Sequence, residues 1–67
     1  MFWHKLNEHD QIAFAYHVYI AALEVTDPAG AVVVCCNALR LAGAHIDEAE
    51  RMARRTNEDY LKAVVSN

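Results

Sequence analysis

The chain has little of almost everything that staples or punctuates a small protein. Among its 67 residues there are two glycines, one proline and two cysteines. The cysteines are neighbours, Cys35 and Cys36, so their side chains diverge on any helix or strand and cannot tie distant segments together. A disulfide framework is thereby excluded. Adjacent free thiols fit a reducing interior, and the opening Met1-Phe2-Trp3-His4-Lys5 lacks the charged leader and apolar run of a secretory signal, so a cytoplasmic location is expected. No apolar stretch is clean enough to span a bilayer, since the longest, residues 29–46, carries Asn37 and Arg40. An excess of positive charge is missing too. A formal net charge of −3 gives no general attraction to nucleic acid or to anionic membranes.

What is present reads as one helical domain covering residues 1–67. Asn7 before Glu8, His9 and Asp10 is a helix start: a capping side chain, then acids that complement the positive end of the helix dipole. Asp27-Pro28 is a second start, with Asp27 as N-cap and Pro28 at the first helical position, where its missing N–H costs nothing. The β-branched run Val32-Val33-Val34 follows that start directly, meets no turn residue before Gly43, and has no second strand to pair with, so it is assigned to a helix. Gly43 serves as its C-terminal cap. Asp47 with Glu50 three residues on has the pattern of a capping box for a third helix, which is open to a break near Thr56. The predicted fold is all-α, a compact bundle of three helices over residues 8–25, 28–43 and 47–65.

The apolar faces say more. At about 100° per residue, the third helix gathers Ile46, Ala49, Met52, Ala53, Thr56, Tyr60, Ala63 and Val64 on one side and charges on the other. The first helix carries two stripes, Ile12-Tyr16-Tyr19-Leu23 and Phe14-Val18-Ala21-Val25. The second is also apolar in two directions, with Val32, Cys35, Cys36 and Leu39 facing one way and Ala31, Val34, Ala38, Leu41 and Ala42 another. A domain of this size buries only about 60% of the surface it exposes unfolded, and oligomerisation is one way to supplement such a core. Phe14, Val18, Val25, Val34 and Leu41 are therefore the expected interface of a homodimer or higher oligomer.

Chemistry is harder to find. His4, His9, His17 and His45 have no spacing that puts two metal ligands on one helical turn, the cysteines lie in the most apolar segment, and no nucleophile, phosphate loop or carboxylate pair stands out. Neither a cofactor, a metal nor an enzyme activity is expected. Residues 38–49, Ala38-Leu39-Arg40-Leu41-Ala42-Gly43-Ala44-His45-Ile46-Asp47-Glu48-Ala49, resemble the helix, Gly-containing turn and second helix of a helix-turn-helix. That resemblance implies DNA binding with Arg51, Arg54 and Arg55 on the second helix. Against it, the first turn of that helix, which would enter the groove, carries Asp47, Glu48 and Glu50. The same stretch is similar to the last two helices of ubiquitin-associated domains, although the Gly-containing loop between that family's first two helices is absent.

The expected function is that of a small non-catalytic accessory protein, of the kind found in microbes and their phages, which binds another protein and modulates or inhibits it. Trp3 and the arginine face of Arg51, Arg54 and Arg55 are the candidate partner contacts, with Phe2 and Trp3 alternatively forming a lid on the core. A helix-turn-helix regulator is one alternative. The other is a small-ligand binder at an oligomer interface where Tyr16, His17 and Arg40 converge.

Overall fold

Helices begin and end where the chain can satisfy the backbone groups that a helix leaves unpaired. The computed structural model describes residues 1–66, and its regular elements are α1 (Phe2–Lys5), α2 (Glu8–Ala22), α3 (Pro28–Leu41) and α4 (Ile46–Ser66). The Asn7 side chain accepts from the Asp10 N–H at 2.8 Å and Asp27 from the Gly30 N–H at 2.8 Å, with Pro28 in the first turn of α3. At the far end of α3, Gly43 has a φ of 111°. Its N–H donates to the Arg40 carbonyl at 3.0 Å, and the Ala44 N–H to the Leu39 carbonyl at 2.9 Å. These are the paired bonds of a Schellman ending, which needs a residue at ease with positive φ.

The end of α2 and the start of α4 differ from the sequence expectation, and α3 stops at Leu41 rather than at residue 43. The first long helix stops at Ala22 rather than near residue 25, and residues 23–25 tighten into i→i−3 bonds such as Val25 N–H to Ala22 C=O at 3.0 Å. The chain must reverse there, and Pro28 holds Asp27 extended. The last helix begins at Ile46, and its cap is His45 instead of Asp47, because the Asp47 N–H donates to His45 Nδ1 at 3.2 Å. Glu50 then takes no part in a capping box and sits 3.8 Å from Arg54. As in the expected span of residues 47–65, α4 is continuous through Thr56, whose hydroxyl donates to the Met52 carbonyl at 2.8 Å and so finds its partner within the helix.

The bundle of the three long helices has α3 packed on both α2 and α4. Trp3, just ahead of α2, meets Glu48 at the start of α4, and Tyr19 near the end of α2 meets Asn57, so these two helices run in the same direction. The core is built largely of alanine. Ala15, Ala22, Ala31, Ala44, Ala49 and Ala53 are buried with Cys35 and Leu39, and only Trp3 and Tyr19 add aromatic bulk. Small residues let the backbones approach closely, near enough for the Cys35 thiol to donate to the Ala15 carbonyl at 3.4 Å.

The short α1 is a fourth element that periodicity did not reveal. It lies across the α3–α4 junction: the Trp3 N–H donates to the Ala42 carbonyl at 2.8 Å, the indole N–H to Glu48 Oε1 at 2.7 Å, and Gln11 Nε2 donates to the Trp3 carbonyl at 3.1 Å. Phe2 and Trp3 also cover Phe14, with ring centroids at 5.1 and 6.2 Å. No helix among the described residues is long and apolar enough to cross a membrane.

Candidate association face

The buried line of α3 is Ala31, Cys35 and Leu39, spaced four apart, which turns Val33, Val34, Asn37, Arg40 and Leu41 to the opposite side. Val33 is 59% exposed, Val34 44% and Leu41 83%, and Ile46 at the start of α4 adds 42%. Asn37 and Arg40 are the polar groups on this face. On one flank it opens into a cleft of about 760 Å³ lined by Leu41, Ala44 and Ile46 together with Asn37 and Arg40. On the other, a groove of about 250 Å³ between α3 and α4 has Val32, Val33 and Cys36 as its apolar wall, with Arg40, Glu50 and Arg54 along its rim.

The residues singled out from sequence are therefore divided. Val34 and Leu41 lie on the α3 face, and Val25 is 84% exposed in the turn between α2 and α3, away from them. Phe14 and Val18 are half-buried and pack on the core of their own chain, and the α1 aromatics Phe2 and Trp3 cover Phe14. Trp3 is fully buried and offers a partner no surface; it is the lid. Arg51, Arg54 and Arg55 are exposed, but Arg54 lies 3.8 Å from Glu50 and Arg55 4.0 Å from Asp59, so two of the three already have anionic neighbours. Arg40 lines clefts with α3 and α4 residues, and neither of these includes Tyr16 or His17.

Val33 and Ile46 escaped the sequence reading. The signal for Val33 was available, since it stands opposite Ala31, Cys35 and Leu39 once these are chosen as the inner line. Ile46 was placed on the inner side of α4, but it comes first in that helix and its side chain remains beside Leu41 in the cleft.

Cys35, His4 and His45 have structural contacts. Burial, and then the neighbouring Cys36, push the Cys35 thiol up to about 11, so it stays protonated and keeps its bond to Ala15. Burial, followed by Tyr60 and Cys35, also raises Tyr19, whose hydroxyl donates to Asn57 Oδ1. His4 Nε2 is 2.9 Å from the Gly43 carbonyl, and His45 caps α4. Among the described residues no three His, Cys, Asp or Glu side chains converge as a metal site would require.

What fold and face define is a small all-helical domain with an apolar side of α3 turned to solvent, while the end of α4 exposes Leu61, Val64 and Val65 as well. No family model matches the chain, and neither a curated protein nor a solved structure matches it.

Proposed function

We propose that this chain is a non-catalytic accessory protein that acts by association, and that the outward side of α3, continued by Ile46, is the surface through which it associates. The observation that carries this reading is the exposure of Val33, Val34 and Leu41 on one face whose only charge is Arg40. Contiguous apolar surface of this kind marks an interaction site more often than scattered single residues do. Association with another protein, which the chain modulates or inhibits, and assembly into a homo-oligomer both use such a face.

A phosphate-binding reading of α4 is weaker. Asp47 and Glu48 occupy its first turn, Glu48 is held by the Trp3 indole, and the arginines alternate with acids down the helix. The test is a pair of charge insertions, Val34→Glu and Leu41→Glu, compared with the wild type by circular dichroism and by sedimentation or affinity capture. Loss of association with helix content preserved supports the proposal. Unchanged association in both variants refutes it.

A further inference from the structure

Resting on that reading of the α3 face, we infer that its occupant is a second copy of this chain, with the two α3 helices packed antiparallel about a two-fold axis at Asn37. The arrangement of residues around Asn37 leads to this. Val33 lies one helical turn before it and Leu41 one turn after, while Val34 and Arg40 lie three residues to either side. In an antiparallel pair centred on Asn37, Val33 meets Leu41 of the second copy at both ends, and the aliphatic stem of Arg40 lies along Val34 of the second copy. Each large side chain thus finds an apolar neighbour.

Asn37 itself suits the axis. A primary amide both donates and accepts, so two related copies satisfy each other reciprocally, which neither a carboxylate nor an ammonium group does with its own image. Local charge permits the same occupant. Two molecules of net charge −3 repel, yet α3 carries no acid, and its one cation, Arg40, stands off the axis so that the two copies of it lie at opposite ends. A heterologous acidic partner would find a single arginine here.

Size sets the extent of the contact. A stable interface takes about 800 Å² from each partner, a little under a fifth of the 4531 Å² that this chain exposes. The 14 residues of α3 span only about 21 Å at about 1.5 Å per residue. The flanks therefore join the contact, Ile46 on one side and Arg54 on the other.

Two measurements decide the matter. Sedimentation equilibrium of the wild type is expected to give a dimer, and Leu41→Glu and Val33→Lys to give monomers of unchanged helix content, since neither side chain touches the core, with a thermal midpoint that no longer rises with protein concentration as the wild type's does. Asn37→Cys in a Cys36→Ala background, where the remaining Cys35 is fully buried, is expected to oxidise to a covalent dimer, because on the axis alone does a residue meet its own image within disulfide reach. Lys62→Cys in the same background is expected not to. A monomeric wild type, or a dimer that survives Leu41→Glu, overturns the inference. A monomeric wild type that binds a different protein and loses it on Leu41→Glu also overturns it, while leaving the α3 face as the association surface. If neither Leu41→Glu nor Val34→Glu alters self-association or binding of any other protein, both the inference and the function proposed above fail.

Discussion

α3 and α4 pack against each other along inner lines of the same kind and treat their outer sides in opposite ways. The inner line of α3 is Ala31, Cys35 and Leu39, and that of α4 is Ala49, Ala53 and Thr56, in each case one small or medium residue per turn. Outside, α4 shows Arg51, Arg54, Arg55, Glu58, Asp59 and Lys62 alongside its packed length and turns apolar only in its last turns, at Leu61, Val64 and Val65, whereas α3 shows Val33, Val34 and Leu41 in its middle and end. The fold does not require this difference, since both inner lines are complete without it. Nor does helix formation, because β-branched residues are weaker helix formers than the charged residues that α4 uses in equivalent places. Aliphatic side chains that serve neither the core nor the helix point to a surface used between molecules.

The largest test of this contrast concerns the lid that joins the two helices. Trp3 bonds to the end of α3 through Ala42 and to the start of α4 through Glu48, and it is the bulkiest buried side chain. Trp3→Ala should cost about 3–5 kcal/mol, a large share of the stability of any small domain and enough to leave it partly unfolded in mild denaturant. Urea titration followed by circular dichroism measures this. A loss below about 1 kcal/mol, the range of ordinary surface changes, would mean that α1 is not part of the core.

High pH separates the inner side of α3 from its outer side. The Cys35 thiol, raised to about 11 in the folded chain, ionises near 8.5 once unfolded. Below that range both states hold the proton and the contribution is intact. As the pH climbs toward 11 the unfolded chain releases the proton first, so stability falls. Thermal midpoints should therefore decline more steeply between those values in the wild type than in Cys35→Ala, and parallel curves would show that the thiol is not held as described. A third change presses on the contact itself. Ala53→Leu forces extra methylenes between closely approaching backbones and should cost about 1–3 kcal/mol, seen in the same urea titration; no loss would mean that the α3–α4 contact has room to spare.

Local chemistry made much of this fold legible. Asn7, Asp27, Pro28 and Gly43 each announced a helix boundary; Asn7, Asp27 and Gly43 make the bonds expected of them, and Pro28 sits in the first turn of α3 where it needs none. Boundaries without such residues were missed. Leu23 and Val25 continue the apolar stripes past the point where the chain has to turn, and His45 is an uncommon cap standing beside a common one, Asp47. The exposed face was legible only in part for a tertiary reason. Phe14 and Val18 form a second stripe on α2 as surely as Val34 and Leu41 do on α3, but the segment that covers Phe14 is α1, too short to leave a periodic signal. Covering one stripe and leaving the other bare depends on where Phe2 and Trp3 land, which no spacing within α2 or α3 encodes.

The smallest expected effect belongs to the outer side of α4. Arg54 is exposed, stands 3.8 Å from an exposed Glu50 one turn away, and borders the groove that α4 shares with α3. An exposed pair at this spacing contributes about 0.3–0.5 kcal/mol and is screened by salt. Arg54→Ala should accordingly leave the urea midpoint almost unchanged, and moderate salt should erase what difference there is. If the loss exceeds about 1 kcal/mol, beyond what exposed pairs give, or persists in salt, Arg54 is packing through its stem against Val33 and Cys36 rather than pairing with Glu50. The outer side of α4 would then be contributing apolar cover to α3, and the two helices would differ less than their exposed residues suggest.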